Sequence, residues 1–513
     1  MGQTGNKKRN TAGWAILFCG LTILYTVSFT SIARSATESK VNDTAITDTV
    51  ENDLLTDVAV QSSKIDVTTK DGVVYLKGKI GNILSKDRAA NIARTVKGVK
   101  SVVNEIQVDP PLNLEDWQIK EFVENALQDD PVTSRFKIGV SVKYSVVTLT
   151  GAVGLWKERQ ICENAAKSVK GVKNVVDLID IDWSGNVRDE GIKKEIDKLL
   201  RWDASIDNAM IDVTVDQGKV YLKGAVGSAI GKLNATLDCY VNGVKSVDNS
   251  GLDVTQAAGG SNRRDTGYID KSGNNIAQAV RDALMTEPRV SLFKISVEVD
   301  PKTHEVTLRG TVHNLKAKNT AASKAMRVTG VRSVDNRIKV RPKGEVSDQW
   351  IEKSVKKAIN RDPYLDGYVI EVVVTNGVVK LYGDVDTVFE KTQAEDVTAG
   401  INGVLKVENN LIVRNFSNTY VYDPWVNDTF LYDFYWYQNL PLHPQRSDAA
   451  ILKETEDRLF WNPFVNSDKV KVEVDKGVVT LTGNVNSWLE YDAAMKNAYQ
   501  GGAIYVKNNL KVK

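Results

Sequence analysis

The chain is poor in the residues that build covalent and metal sites. Its 513 residues include three cysteines, three histidines and eleven prolines. No CxxC pair and no other metal-ligand spacing occurs, which argues against the zinc-finger and thioredoxin-like classes. No paired carboxylates or nucleophile–base pair stand at an interpretable spacing either. The sequence therefore predicts a protein that is not an enzyme, with no catalytic residues, no bound metal and no cofactor.

An excess of one charge sign is also lacking. Four of the 67 basic residues lie in the first 35 residues, which contain no Asp or Glu, so 63 basic and 65 acidic residues remain beyond them. The electrostatic footprint that nucleic acid requires is absent from such a chain. We expect no nucleic-acid partner.

Long apolar runs are absent after residue 36. Before it, the basic residues 7–9 precede the apolar run 14–25, and Ser31 and Ala33 are small residues at the spacing of a signal-peptidase site. We predict that residues 1–36 form a secretory signal peptide. The alternative is an uncleaved anchor, because the mildly apolar stretch is nearly long enough to cross a bilayer. Either interpretation predicts that the rest of the chain is periplasmic.

What the sequence does contain is one hairpin pattern in six copies. "KDGVVYLKGKI" (70–80) returns as "DQGKVYLKGAV" (216–226) and as "DKGVVTLTGNV" (475–485). A glycine follows the second strand in every copy, at Gly78, Gly151, Gly224, Gly310, Gly383 and Gly483. A second glycine follows 19 or 20 residues later, at Gly98, Gly171, Gly243, Gly330, Gly403 and Gly502. Such regular self-similarity indicates an array of supersecondary units.

Each copy predicts the same five elements. Apolar and polar residues alternate with period two on both sides of turns such as Asp71-Gly72, which indicates a β-hairpin. Between the two glycines, small residues such as Ala89 and Ala93 lie on one face of a helix that can approach the sheet closely. A third strand follows the second glycine, and an amphipathic helix precedes the hairpin. The fold class is therefore α+β, with tandem α-β-β-α-β domains, each a three-stranded mixed sheet covered by two helices.

The predicted organisation follows from the spacing of the glycines. A Gly-, Ser- and Asn-rich stretch is interpreted as a flexible linker between two triplets of units, which would let the triplets bend relative to each other. The predicted boundaries are unit one, 43–109; unit two, 113–182; unit three, 187–254; the linker, 255–274; unit four, 275–341; unit five, 346–413; an aromatic-rich insert, 414–446; and unit six, 447–513.

The pattern "GxVxLxG" in the hairpin, with "GVxxVxNxL" opening the last strand, resembles the BON domain of bacterial envelope proteins. The resemblance covers all six units. It implies a non-catalytic periplasmic module that contacts phospholipid membranes or other envelope components, including envelope proteins, and links the chain to osmotic stress. Six tethered copies are expected to give multivalent binding. The sequence leaves open whether the protein is a homo-oligomer.

The aromatic-rich insert breaks the repeat. Ten of the chain's 38 aromatic residues lie within its 22 residues from Phe416 to Tyr437. The insert is interpreted in three ways: as a structural arm, as a protein-binding segment or as a membrane-interface segment. If it binds protein, the alternative function is an interaction scaffold or a stress-protective, chaperone-like factor. The candidate contact residues are Tyr420, Tyr422, Trp425, Phe430, Tyr432, Tyr435, Trp436 and Tyr437.

Two further groups of residues are predicted to be structural. An asparagine, for example Asn104 or Asn336, occupies an inward position of the third strand in most copies, and we expect its amide to tie a neighbouring turn to the sheet. Cys162 and Cys239 replace alanine on the second helix, and we expect both to be buried free thiols.

Overall fold

The computed structural model describes residues 41–60, 64–182, 187–206, 210–255, 271–414 and 446–512. Within these ranges the predicted order of helices and strands occurs six times, once in each unit. The first helices are α1 (Asp43–Thr56), α3 (Asp116–Asp129), α5 (Asp189–Trp202), α7 (Gly273–Met285), α9 (Asp348–Arg361) and α11 (Asp448–Trp461). The second helices are α2 (Ile83–Arg94), α4 (Trp156–Lys167), α6 (Ala229–Asp238), α8 (Leu315–Met326), α10 (Val388–Ala399) and α12 (Trp488–Gln500).

The strands follow the same repeat. The first strands are β1 (Ile65–Lys70), β4 (Gly139–Lys143), β7 (Ile211–Asp216), β10 (Ile295–Val299), β14 (Glu371–Thr375) and β19 (Val470–Asp475). The second strands are β2 (Val73–Ile80), β5 (Val146–Val153), β8 (Lys219–Val226), β11 (Glu305–Val312), β15 (Val378–Tyr382) with β16 (Asp384–Val385), and β20 (Val478–Val485). The third strands are β3 (Ser101–Val108), β6 (Asn174–Ile181), β9 (Ser246–Val254), β12 (Ser333–Asn336) with β13 (Lys339–Val340), β17 (Lys406–Asn409) with β18 (Ile412–Val413), and β21 (Tyr505–Val512).

The second strand lies in the middle of each sheet. It is antiparallel to the first strand and parallel to the third, so that Val74 of unit one pairs with Thr69 on one side and with Val102 on the other. A parallel pair cannot be joined by a tight turn, and the second helix supplies the crossover connection. The predicted α+β fold class is confirmed.

Each unit has a hydrophobic core of its own. In unit one, Val50 of α1, Val74 and Leu76 of β2, and Ala89 and Ala93 of α2 are all fully buried. The predicted small-residue face of the second helix therefore packs against the sheet. Six separate clusters of this kind occur among the described residues. Because cores of this size leave a domain only marginally stable, contacts between units contribute to the stability of the whole.

The glycine that follows the hairpin is required by its surroundings. Gly78 has a φ of 135°, and a Cβ atom there would lie 1.9 Å from the carbonyl oxygen of Lys64. That carbonyl belongs to backbone, which cannot move aside as a flexible side chain can. Any larger residue would therefore separate β1 from β2 at this point.

An aspartate at the start of the first helix holds the hairpin turn. In unit five, the Asp348 carboxylate accepts hydrogen bonds from the backbone N–H groups of Asn376 and Gly377, at 2.7 and 2.9 Å. The same pair of bonds is made by Asp43, Asp116, Asp189 and Asp448. Both turn residues have positive φ, which aims two adjacent N–H groups at one anion.

Unit four departs from this arrangement. Its helix α7 begins with Gly273 in place of aspartate, and its hairpin loop is longer. Asp300, within that loop, accepts hydrogen bonds from the N–H groups of Lys302 and Thr303 instead. The longer loop of unit four thus supplies, through Asp300, the carboxylate that the start of α7 lacks.

The third-strand asparagine binds the second helix and not a turn, so our expectation on this point was wrong. Asn104 Nδ2 donates to the Lys86 carbonyl in α2 at 2.9 Å, and Asn104 Oδ1 accepts from the N–H of Ile106. Unit two has Asp177 at this position, which has no amide to donate. There Arg159 of α4 donates to Asp177 at 2.7 Å. Asn336, Asn409 and Asn508 repeat the bond of Asn104 to a second-helix carbonyl.

Both cysteines are buried and free, as predicted. Burial raises the pKa of the Cys162 thiol to about 12, and nearby carboxylates such as Asp130 contribute to that increase. Burial likewise raises the pKa of the Cys239 thiol. Thiols of this kind behave as small apolar side chains, because the reactive thiolate is strongly disfavoured.

The six units associate in three pairs through one repeated backbone bond. In each pair, the residue before the second glycine of one unit donates its N–H to the last residue of the first helix of the other. Lys97 donates to Trp461 at 3.0 Å, which joins units one and six, and Lys170 donates to Arg361 at 2.8 Å, which joins units two and five. Units three and four are joined in the same way, with Thr329 donating to Trp202 at 2.7 Å.

Units three and four also share a return bond, from the N–H of Ala204 to the Arg327 carbonyl at 2.9 Å. The side chains of Arg327 and Asp203 form an ion pair beside it. The two triplets are thus packed against each other, and our expectation that they bend independently was wrong. The linker between them lies largely outside the described residues.

Further contacts join the pairs to one another. The rings of Trp156 in unit two and Tyr240 in unit three are stacked with their centroids 3.7 Å apart. Ion pairs link Lys167 of unit two to Asp87 of unit one, at 2.9 Å, and Arg289 of unit four to Asp130 of unit two, at 2.8 Å. These pairs are partly shielded from solvent, so salt screens them less than exposed pairs. The described residues from 41 onward form one compact body.

Two carboxyl groups meet at the contact between units three and four. Burial, and then the neighbouring Asp203 carboxylate, raise the pKa of Asp238 to about 7 from an ordinary value of 3.8. The side chains of Arg327 and Lys157 oppose this shift. Below neutral pH, Asp238 therefore exists largely as the protonated acid, which can donate a hydrogen bond to Asp203.

The turn-holding aspartate predicts a local loss of stability. Replacing Asp348 with alanine should remove two charge-assisted hydrogen bonds, at a cost of about 1 kcal/mol. We expect the amides of Asn376 and Gly377 to exchange with solvent about five-fold faster. Hydrogen exchange measured by NMR checks this, with Glu371→Ala, an exposed charge in the same unit, as the control. Equal protection in both variants would contradict the role assigned to Asp348.

The raised pKa of Asp238 predicts a pH-dependent stability. Because the folded protein holds this proton more tightly than the unfolded chain, Asp238 lowers stability progressively as pH rises from about 4 to about 7. Asp238→Asn should therefore stabilise the protein at pH 8, on the order of 1 kcal/mol or more, and have little effect at pH 4.5. Urea unfolding at both pH values checks this. The exposed Asp212→Asn should show no such difference, and a pH-independent effect of Asp238→Asn would refute the assignment.

Candidate functional site

The predicted contact residues of the aromatic-rich insert lie outside the described residues. Tyr420, Tyr422, Trp425, Phe430, Tyr432, Tyr435, Trp436 and Tyr437 therefore stay predictions. The described part of the chain contains another place where aromatic side chains face solvent. Trp117 and Tyr144 are 65% and 80% exposed, which makes them the two most exposed aromatic residues that the structure describes.

Both residues belong to one end of unit two, which we call the unit-two tip and define as Asp116, Trp117, Lys143, Tyr144, Ser145 and Lys173. The Asp116 carboxylate accepts hydrogen bonds from the N–H groups of Tyr144 and Ser145, each at 2.8 Å. Trp117 follows Asp116 directly at the start of α3. The carboxylate therefore fixes the hairpin turn beside the helix terminus that carries the tryptophan.

The turn of this tip is strained. Tyr144 and Ser145 have φ values of 54° and 61°, in the left-handed region that side chains with a Cβ rarely adopt. The corresponding turns of units one, three, five and six have glycine at the second position. Unit two thus holds a serine in a conformation that costs roughly 1–2 kcal/mol. Strained turns of this kind are often retained for a functional reason.

Two lysines lie close to the hairpin turn of the tip. The Lys143 Nζ atom lies 5.4 Å from the centroid of the Tyr144 ring. The backbone N–H of Lys173 donates to the Ser145 carbonyl at 2.9 Å, which places a second lysine beside the turn. Both lysines are exposed, and the one carboxylate of the tip, on Asp116, is occupied by the turn. The tip therefore combines amphipathic rings with positive charge.

A comparison with protein families identifies the repeat. The model of the BON domain matches residues 42–110, 115–182, 188–256, 272–342, 347–415 and 447–513. The chain belongs to the BON domain family. The six matches confirm that the BON domain recurs in tandem along the chain.

Two relatives of known name share parts of this BON array. Osmotically-inducible protein Y of Escherichia coli strain K12 is 31% identical over 150 residues, which are 28% of this chain and 73% of that protein. Outer membrane lipoprotein DolP of Haemophilus influenzae is 36% identical over 106 residues, which are 20% of this chain and 54% of that protein. This chain thus spans about half the length of the second relative.

Two solved structures are also similar. One is of CdsD, a structural protein of the type III secretion system of Chlamydia trachomatis, at 16% identity over 43% of this chain and 91% of that chain. The other is of the C-terminal domain of CdsD, at 14% identity over 45% of this chain and 95% of that chain. The TM-score is 0.12 in both cases, and we draw no inference from these likenesses.

The side chains at the corresponding end vary among the BON units. The residue two positions after the second glycine is basic in units one to four and apolar in units five and six, where Leu405 and Ile504 are partly exposed. In unit four that residue, Arg332, lies over the ring of Trp488 in unit six, 4.6 Å from its centroid. The repeat thus conserves the fold of the tip and varies its surface.

Sequence analysis missed the unit-two tip. Its signal is the turn "KYSV" (143–146), which replaces "KDGV" of unit one and removes the glycine. No described helix combines the length and the apolar character needed to span a membrane. Within the same ranges, no three His, Cys, Asp or Glu side chains gather as they would around a metal ion.

The strained turn predicts an unusual substitution. Ser145→Gly should stabilise unit two by about 1 kcal/mol, because glycine adopts the left-handed region without steric strain. Ser141→Gly, in the extended strand β4 of the same unit, should instead destabilise it. Urea unfolding of the two variants checks this. If both glycines destabilise the protein, the turn is not strained as its φ angles indicate.

Proposed function

We propose that this chain is a non-catalytic protein of the bacterial envelope that attaches to phospholipid membranes, with the unit-two tip as its principal contact. The observation that carries the proposal is the strained turn that exposes Tyr144 beside Trp117. Membership of the BON family supports an envelope location. So does the name of one relative, an outer membrane lipoprotein.

The chemistry of the tip suits the interface of a membrane. Tryptophan and tyrosine concentrate at the headgroup level of bilayers, because their rings are apolar and their N–H and O–H groups are polar. A lysine near an anionic surface adds about 1 kcal/mol of attraction. Lys143 and Lys173 would therefore favour anionic lipid, and Trp117 and Tyr144 would anchor the tip once it arrives.

The other units would add weaker contacts. Lys100 and Lys245 are basic side chains at the ends of units one and three, and Leu405 and Ile504 are apolar ones in units five and six. Because the described units form one body, each further contact that reaches the membrane engages without the entropy loss of ordering a flexible chain. Several contacts in the millimolar range then give useful avidity.

A second candidate function rests on the aromatic-rich insert. Ten aromatic residues within 22 positions are typical of a protein-binding segment. In that case the protein is an interaction scaffold or a chaperone-like factor for envelope proteins. Deletion of residues 416–440 separates the two functions, because it should remove a protein partner and leave vesicle binding intact.

Vesicle sedimentation tests the membrane proposal. We expect the purified protein to bind vesicles that contain phosphatidylglycerol, and the double variant Trp117→Ala, Tyr144→Ala to bind at least ten-fold more weakly. Tyr382→Ala, which removes an exposed tyrosine of unit five, is the matched control and should bind normally. Binding should weaken as salt is raised, because the lysines are exposed.

The outcome that would reject the proposal is equal binding by the double variant and the native protein. Point substitutions are preferable to removal of whole units. Each unit contributes a helix end or an N–H group to a partner unit, so truncation would also disturb the partner.

A further inference from the structure

The second helices of units one to five line a partly open chamber with a volume of about 810 Å³. This volume lies within the range of about 300–1,000 Å³ that is usual for small-molecule sites. Most charged residues of its wall are already paired with each other: Lys167 with Asp87, Arg289 with Asp130, and Arg361 with Asp129. What remains unpaired therefore indicates what the chamber could bind.

Lys157 of α4 and Lys86 of α2 line the chamber, and neither amine forms an ion pair with a described residue. Of the two, Lys157 lies where three units meet. Lys157 is partly buried at the meeting of units two, three and four, and its side chain lines the chamber. No described residue forms a hydrogen bond or an ion pair with its amine. Burial, followed by the charge of Lys324, lowers the pKa of Lys157, while Asp238 and Glu287 act in the opposite direction. A partly desolvated amine without a hydrogen-bond partner contributes unfavourably to the stability of the fold.

Neutral polar side chains from two helices, α4 and α8, also line the chamber. Gln160 and Asn164 follow Lys157 at helical spacing on α4, and Thr320 and Ser323 line the chamber from α8. The side chains of these four residues form no hydrogen bond with any described residue. Each amide or hydroxyl offers both a donor and an acceptor, so the wall can bind a ligand that has both.

The fold itself does not require these polar residues. Unit three supplies Leu233 and Leu237 to the same chamber, and their positions in the repeat correspond to those of Gln160 and Asn164. Leucine is therefore compatible with the packing at both positions. The other four units also carry polar residues at these two positions. On α4 the amides of Gln160 and Asn164 lie on the wall of the chamber, where they can contact a ligand.

We propose that the chamber binds a small anion that carries hydroxyl groups, of the class of polyol phosphates, with Lys157 as its anchor. The amine supplies the charge that an anion needs, and the four neutral side chains supply partners for hydroxyl groups. This site is separate from the unit-two tip and does not depend on membrane attachment.

Calorimetric titration of the full chain tests the proposal, with ionic strength held constant by NaCl. The probes are glycerol 3-phosphate, inorganic phosphate and glycerol. We expect saturable binding of glycerol 3-phosphate, weaker binding of phosphate and none of glycerol. Absence of saturable binding of both anions at 10 mM, on the order of the weakest specific sites, would overturn the proposal. Equal binding of the two anions would overturn the role of the hydroxyl groups.

Substitutions then locate the site. Lys157→Met should weaken binding of glycerol 3-phosphate at least ten-fold, and the double change Gln160→Leu, Asn164→Leu, which introduces the residues of unit three, should weaken it several-fold. Lys137→Met, an exposed lysine of the same unit, is the matched control. Unchanged affinity in Lys157→Met would overturn the assignment of the anchor.

Thermal unfolding distinguishes a ligand-binding lysine from a structural one. Without ligand, Lys157→Met should leave the midpoint unchanged or raise it, because an unpaired and partly buried amine has been removed. A lower midpoint would assign Lys157 to the fold and would count against the proposal. The Trp117→Ala, Tyr144→Ala variant should bind glycerol 3-phosphate normally, so failure of the membrane proposal leaves this result unaffected.

A final competition measurement identifies whether the bound phosphate belongs to a free small molecule or to a lipid headgroup. Vesicles that contain phosphatidylglycerol present the same glycerol phosphate group as part of a lipid. If glycerol 3-phosphate at saturation leaves vesicle binding unchanged, the chamber takes a free small anion, as its position between five units favours. If vesicles displace glycerol 3-phosphate, the occupant is a lipid headgroup.

Discussion

The carbonyl groups at the C-terminal end of a helix have no donor within that helix, and a protein must satisfy them from elsewhere. In this chain the donor comes from another BON unit. The N–H groups of Lys97, Lys170 and Thr329 meet the last residues of α11, α9 and α5. Six cores that are each too small for robust stability thereby become one body, and the chamber exists because those contacts hold the second helices around it.

The fold of each unit could be predicted from sequence because its causes are local or periodic. Strand alternation, the Asp71-Gly72 turn and the spacing of the glycines all act over short distances. The aspartate at the start of the first helix was equally regular, 35 residues before the hairpin glycine in five units. Its role could not be predicted from the sequence, because its carboxylate binds a turn that lies 28 residues further along the chain.

The arrangement of the units could not be predicted, since nothing in one copy specifies which other copy satisfies its helix end. The unit-two tip and the chamber were missed for a related reason. The tip depends on a difference between copies, Ser145 in place of glycine. The chamber depends on how the second helices of five units come together. A repeat draws attention to what its copies share, whereas the unit-two tip lies where one copy departs from the others and the chamber lies between copies.

The pairing of the first unit with the last, the second with the fifth and the third with the fourth is nested, like the base pairs of a stem. A chain that is synthesised from its N-terminus delivers units one, two and three before any partner has arrived. Unit four can pair with unit three as soon as it is available, whereas unit one can pair only after unit six, the last unit of the chain, is available. Assembly would therefore proceed from the middle outwards, and the last segment to emerge completes the outermost pair.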